Sequence, residues 1–153
     1  MAQATDTFTV FVTRHAEKAD QPKDPELSQL GQQRALNLAM ILQHVPLQTI
    51  YTTPYRRTQQ TAEPTATQHQ VTLMTYAAGG AEQLVQMVLQ QQQNTLVVGH
   101  SNTVPNLVRL FGGSAPELTE QDYGDLFVLH FVNGTVTTPR LSIPAYLPAA
   151  LGQ

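Results

Sequence analysis

The chain contains no cysteine. That absence removes disulfides, thiolate metal sites and a cysteine nucleophile together, and it leaves the redox compartment open. Charge is also scarce: charged residues make up 12% of the 153 positions, the formal net charge is −3 at pH 7 and the pI lies near 5.9. Such a chain has no basic face for a polyanion, so nucleic acid is not an expected partner. No apolar run approaches the roughly 20 residues that span a bilayer, and no membrane partner is expected. The start, Met1 to Asp6, lacks a basic region followed by an apolar one. The expected location is therefore the cytoplasm or, if a signal peptide has been removed ahead of this Ala/Gln/Thr/Asp stretch, the periplasm or the exterior.

What is present is a globular composition, 41% hydrophobic and rich in glutamine, long enough for one domain covering residues 1–153. Residues 1–6 read as a flexible terminus. No internal repeat or linker interrupts the rest. With thiols excluded, chemistry has to come from histidine, carboxylates and hydroxyls.

The residue pattern alternates strand and helix. Thr7 to Thr13 is β-branched or aromatic almost throughout and reads as a strand with Arg14-His15 at its exit. Ser28 can cap a helix whose Leu30, Leu38, Ile41, Leu42 and Val45 recur at helical spacing until Pro46. Thr49 to Thr52 reads as a short strand. Arg56 to His69 reads as a helix that Pro64 should kink or shorten. Val71 to Tyr76 is the next strand, and Ala81 to Gln93 an amphipathic helix with Leu84, Val85, Val88 and Leu89 on one face. Thr95 to Val98 is an unbroken apolar strand, of the kind buried on both faces, and it delivers Gly99-His100-Ser101-Asn102. A helix over Val104 to Phe111 follows. Leu126 to Val132 then turns at Asn133-Gly134 into a last strand, Thr135 to Ser142, which Pro139 assigns to an edge. This order predicts an α/β fold: a three-layer α/β/α sandwich with a mostly parallel central sheet and an antiparallel C-terminal edge hairpin. Ligands bind beyond the carboxyl ends of such strands, where Arg14-His15, Thr52-Thr53-Pro54 and Gly99-His100 fall.

Two histidines and at least two arginines near one crevice suit an anion held by guanidinium forks, and phosphate is the natural one. Four segments then resemble those of the histidine phosphatase superfamily, also called the phosphoglycerate-mutase-like family. Val10 to Lys18, with Arg14-His15, resembles its first-histidine signature, although Ala16 stands where glycine usually follows the histidine. Leu27-Ser28-Gln29-Leu30-Gly31-Gln32-Gln33-Arg34-Ala35 is similar to its Leu-Thr-x-x-Gly-x-x-Gln-Ala helix start. Thr53 to Ala62 is similar to its Ser-x-x-x-Arg-x-x-Gln-Thr-Ala segment, which puts the pocket arginine at Arg57, and Val97 to Asn102 resembles the second-histidine motif. Tyr123-Gly124-Asp125-Leu126-Phe127 is similar to the following strand of small members, among them phosphohistidine phosphatases.

The resemblance implies the same sandwich fold and a phosphatase that needs no cofactor and no metal. It implies His15 as the nucleophile that becomes phosphohistidine, with Arg14, Arg57 and His100 around the phosphoryl group. A neutral His15 and a cationic His100 would suit those roles. Ser101 and Asn102 could add donors to the phosphate or cap the next helix. Glu82 is the candidate general acid and base, or else a first-turn glutamate that complements the helix dipole; Glu17 and Asp125 are its rivals. Relatives with broad activity carry the acid on a longer insertion than the short loop here. His44, His69, His130, Arg56, Arg109 and Arg140 read as structural or surface residues. The expected partner is a phosphorylated small molecule or phosphoprotein, and the oligomeric state is not readable. Two alternatives remain: a non-catalytic phosphate-ligand module on this fold, and a phosphoglycerate mutase, which in this family needs further insertions.

Overall fold

A computed structural model of the protein describes residues 7–146. The expected flexible start at residues 1–6 lies outside them. In chain order the elements are β1 (Thr7–Arg14), α1 (Gln29–Ile41), β2 (Thr49–Thr52), α2 (Arg56–His69), β3 (Leu73–Thr75), α3 (Ala81–Gln91), β4 (Thr95–Gly99), α4 (Val104–Leu110), β5 (Asp125–Val132), β6 (Thr135–Thr137) and β7 (Arg140–Ser142).

One sheet runs in the order β3-β2-β4-β1-β5-β6, with β7 also paired to β5. The first four strands of that order are mutually parallel, while β5 is antiparallel to β1 and to both strands that follow it. The antiparallel part is therefore larger than an edge hairpin. The expected last strand is also two short ones. Pro139 separates β6 from β7, because proline has no N–H for the ladder, although its carbonyl still accepts from Val128 N at 2.9 Å. The Asn133-Gly134 turn has positive φ at both residues (51° and 85°), as a tight hairpin requires.

Strand period 2 divides the core into two halves. Val10, Val12, Val97, Phe127 and Leu129 face α3 and α4, where Leu84, Val88, Leu107 and Val108 are fully or nearly fully buried. Phe11, Ile50, Leu96, Val98 and Leu126 face α1 and α2. These are the two outer layers of the predicted sandwich. Among the described residues no helix is long and apolar enough to cross a membrane.

Helix α1 departs from the sequence reading. The Ser28 hydroxyl caps α1 by accepting from Gly31 N at 3.1 Å, as expected. The buried face, however, runs through Gly31, Ala35, Leu38, Ala39 and Leu42, whereas Leu30 and Ile41 are exposed. Apolar residues surround this helix almost evenly, so periodicity alone could not choose the face; small residues at 31, 35 and 39 let it approach. The helix stops at Ile41, before Pro46 could end it. Helix α2 has the expected bounds, Arg56–His69, and Pro64 does not shorten it. At its end the His69 ring nitrogens lie 2.9 Å from Thr65 O and 2.8 Å from Val45 O, which ties α2 to the segment after α1.

Gly31 explains one motif position. A Cβ there would overlap the Glu17 carbonyl, whose oxygen also accepts from Ser28 N at 2.9 Å. The clash is with backbone and cannot be relieved by a rotamer change. Gly31→Ala is expected to destabilise the fold by about 3 kcal/mol, at the upper end of overpacking costs. Urea unfolding of the two proteins measures this, and an unchanged midpoint would refute it.

Candidate active site

Strand register creates the site. Arg14 of β1 lies opposite Gly99 of β4 in a parallel pair, and His15 N donates to Gly99 O at 2.9 Å. The residue after each strand is a histidine, so the rings of His15 and His100 meet with centroids 5.4 Å apart. Neither strand alone encodes that neighbourhood. Tyr123 lies 6.2 Å from the His15 ring and Tyr55 lies 5.3 Å from the His100 ring, both edge-on. The guanidinium of Arg14 stacks on Tyr123 (4.0 Å to the ring centre) and that of Arg57 on Tyr55 (4.8 Å). The four residues expected from the sequence are thus brought together, and the two tyrosines that frame them were not anticipated.

His15 is buried, at 3% exposure, and its Nδ1 lies 2.8 Å from Ala16 O. A carbonyl can only accept, so Nδ1 carries the proton and the neutral ring keeps its lone pair on Nε2. Burial, opposed by that hydrogen bond and assisted by Arg14, His100 and Arg57, lowers its pKa from 6.5 to about 3. The next residue holds the loop: Ala16 N donates to Thr61 Oγ1 at 2.9 Å, and Thr61 donates to Arg57 O at 2.7 Å. Ala16 itself, in the usual glycine position, packs with Leu27 and Ala35.

Burial, then Arg57 and Arg14, also lowers the pKa of His100, to about 4. This departs from the expected cationic ring: with two guanidiniums and, among the described residues, no carboxylate partner, the neutral form is favoured. The Nε2 of His100 lies 2.9 Å from Thr53 Oγ1.

Both depressed values have a stability consequence. In the unfolded chain each ring takes up a proton near 6.5, but in the folded chain only near 3 or 4. Between those limits the unfolded state holds more protons, so stability falls as pH drops from about 6.5 towards 4, by up to ~1.4 kcal/mol per pH unit per ring. Urea midpoints at pH 7 and pH 5 should therefore differ less in His15→Gln than in the wild type. An equal loss in both proteins would contradict the assignment.

Arg14 is 4% exposed, and one of its terminal nitrogens donates to the carbonyls of Thr119 (3.3 Å), Glu120 (3.0 Å) and Asp122 (3.0 Å). The other reaches Tyr123 Oη at 3.3 Å. Its Nε–H is buried without a partner among the described residues. The loop that receives Arg14 closes on itself, since Asp122 Oδ2 accepts from Thr119 N at 2.6 Å. This loop shows no periodicity, so nothing in the sequence singled it out.

The carboxylates separate by environment. Arg34 donates from Nε to Glu17 Oε1 at 2.9 Å and binds the second oxygen as well, and it also donates to Ile143 O. Burial raises the Glu17 pKa, but the Arg34 hydrogen bonds and charge outweigh it and hold the carboxyl below its ordinary value. Asp125 is paired with Arg140 at 2.9 Å. Gly124 is required at that corner: its φ is +87° and a Cβ would overlap Arg34 and Ile143 O. Glu82 is exposed in the first turn of α3 and lines a cleft of about 550 Å³ with Ala77, Gly79 and Asn106. That cleft includes none of Arg14, His15, Arg57 or His100, nor does one of about 730 Å³ between α1 and α2.

Ser101 is buried and Asn102 exposed in the turn after β4; the position before α4 falls to Thr103, whose hydroxyl accepts from His100 N at 3.0 Å. Of the residues assigned to the surface, Arg56 pairs with Glu26 at 2.5 Å, Arg109 pairs with Glu117, and His44 and His130 are exposed. No group of three His, Asp or Glu side chains that could hold a metal occurs among the described residues.

Two guanidiniums and a neutral imidazole in one place suit a phosphate-sized anion. The model of the Histidine phosphatase superfamily (branch 1) matches residues 10–78, from β1 to just before α3. Over these residues the chain is similar to that family. Solved structures show the same fold over most of the length. Bacillus stearothermophilus YhfR is 17% identical with a TM-score of 0.68, over 86% of this chain and 95% of its own. A mycobacterial glucosyl-3-phosphoglycerate phosphatase is 13% identical with a TM-score of 0.65, over 92% and 100%. The protein histidine phosphatase SixA, complexed with tungstate, is 16% identical with a TM-score of 0.63, over 88% and 97%. No curated protein matches the sequence.

Proposed function

We propose that this chain is a metal-independent phosphatase that hydrolyses a phosphomonoester or a protein phosphohistidine through a covalent phosphohistidine on His15. The observation that carries the reading is the state of His15. It is neutral, with its Nδ1 proton committed to Ala16 O and its Nε2 lone pair free, between two arginines. Nε2 attacks phosphorus in line, the bond to the leaving oxygen or nitrogen breaks, and water then cleaves the N–P bond to release inorganic phosphate. Arg14, through its unpartnered Nε–H, and Arg57 donate to the equatorial oxygens, where negative charge spreads in the transition state. A dianionic group there also supplies the opposite charge that raises the His100 pKa, so that its ring protonates against the bound phosphoryl group. Ser101 and Asn102 border the same anion from the turn after β4.

Glu17 and Asp125 are held by Arg34 and Arg140, which leaves Glu82 as the proposed acid for leaving groups that need a proton. Because Glu82 is exposed and faces another cleft, the preferred substrates are those with good leaving groups, phosphohistidine among them. The relatives named above as a protein histidine phosphatase and a glucosyl-3-phosphoglycerate phosphatase bracket this range.

The test is turnover of p-nitrophenyl phosphate, whose leaving group needs no acid, with a base quench to trap labelled phosphoenzyme. Turnover with label on His15 is expected. Glu82→Gln should lower the rate on an alkyl monoester about a hundredfold more than on p-nitrophenyl phosphate. The second reading, a phosphate-binding module without catalysis, is favoured by one observation: no carboxylate hydrogen-bonds to His15 or His100 among the described residues. Vanadate binding without turnover or label would establish that reading and overturn the enzyme.

A further inference from the structure

The second histidine is anchored by groups that no part of the proposed chemistry uses. Thr53 and Thr58 are both completely buried, in a segment where exposed polar residues would be ordinary. The Thr58 hydroxyl donates to the carbonyls of Thr53 (2.8 Å) and Tyr55 (3.0 Å), so its single hydrogen is committed to the backbone at the start of α2. What remains on Thr58 Oγ1 is lone pairs, and Thr53 Oγ1 donates to them at 2.9 Å. Thr53 has then spent its only hydrogen as well. At 2.9 Å from His100 Nε2 it can only accept, so His100 must present Nε2–H to it.

We infer that Thr53 and Thr58 form a one-way hydroxyl relay that fixes the tautomer of His100, keeping its proton on Nε2 and confining its reversible protonation to Nδ1. The two threonines are positioning residues: Thr53 touches the ring of His100, and Thr58 touches Thr53. The relay is directional because its far end is a carbonyl, which cannot donate back. It also explains the choice of residues at both ends of a five-residue step. Thr53 leaves β2 at the carboxyl edge of the sheet, and Thr58 closes the first turn of α2 onto it. The position of the ring that is to carry charge is thereby set by the rigid sheet edge and not by solvent. An outer hydrogen bond of this kind orients a functional imidazole in the way carboxylates and carbonyls orient metal-bound histidines.

This inference rests on the phosphatase reading for its kinetic consequence, but not for its structural one. The experiment combines 15N NMR of the imidazole rings at pH 7.5 with p-nitrophenyl phosphate kinetics in wild type, Thr53→Val, Thr53→Ser and Thr58→Val. His100 is expected to show the Nε2–H pattern in wild type and in Thr53→Ser. Thr58→Val frees the Thr53 hydrogen to point at Nε2 and should convert the ring to the Nδ1–H form, while Thr53→Val removes the constraint and should give a mixture. The kcat of both valine variants should fall about tenfold or more with KM little changed, and Thr53→Ser should restore it. A wild-type Nε2–H pattern retained in both valine variants overturns the relay, as does a serine variant that regains the hydroxyl without regaining the pattern. Absence of turnover in wild type would count against the phosphatase alone, because the ring patterns still decide the relay.

Discussion

His15→Ala is expected to reduce p-nitrophenyl phosphate hydrolysis by roughly four orders of magnitude or more, because the substitution removes the atom to which the phosphoryl group is transferred. The residual rate would come from the guanidiniums, which still bind the dianion and stabilise its transition state. Stability should change little or even rise at acid pH: the ring is buried with its pKa pushed down to about 3, so removing it also removes a proton-uptake penalty. Activity and fold therefore separate in this variant. KM, reporting the retained arginines, should move less than kcat. Wild-type and His15→Ala rates that agree within error would eliminate His15 as nucleophile, whatever the shape of the pocket.

Arg14→Ala should lose on both counts. On the chemical side one phosphoryl donor disappears, a cost of roughly 3 kcal/mol in barrier or a hundredfold and more in rate. On the structural side three loop carbonyls lose the guanidinium they share, and leaving buried acceptors unpaired costs about 1–3 kcal/mol each where water cannot enter. The exposed side of the 119–122 loop admits water, so a net loss of about 3 kcal/mol is the expected value. The cation–π contact with Tyr123 goes as well. Arg14→Lys distinguishes the two effects: it keeps a charge near Glu120 but cannot reach several carbonyls and a phosphoryl oxygen with one ammonium. It should unfold at a urea concentration between those of wild type and Arg14→Ala, yet remain nearly as inactive as the alanine variant. An Arg14→Ala protein as stable as wild type would show that the loop does not depend on this residue.

Much of this architecture is legible from residue pattern. The alternation of Thr7 to Thr13 and the unbroken Thr95 to Val98 are strands because their side chains suit pleated, buried positions, and a histidine follows each strand at the sheet's carboxyl edge. Other features were ambiguous for a physical reason. Helix α1 has apolar residues on nearly every side, so its buried face was settled by backbone approach at Gly31 and Ala35 and not by Leu30 or Ile41. Glu17, Asp125 and Glu82 look alike as candidate acids in a sequence. Only Arg34 and Arg140, brought in from α1 and β7, commit the first two to ion pairs.

By itself the sequence determined the kinds of element, their order, the sandwich they must build and the presence of Arg14, His15, Arg57 and His100 at strand and helix ends, because these follow from local periodicity and motif spacing. The tertiary structure decided the charge states and partners: a neutral His100 where a cation was expected, the Nδ1–H form of His15, the loop carbonyls that grip Arg14 and the two threonines behind His100. The charge states depend on burial, and the grip on Arg14 and the threonines behind His100 on contacts between residues 47 to 108 positions apart, which no local pattern of residues encodes.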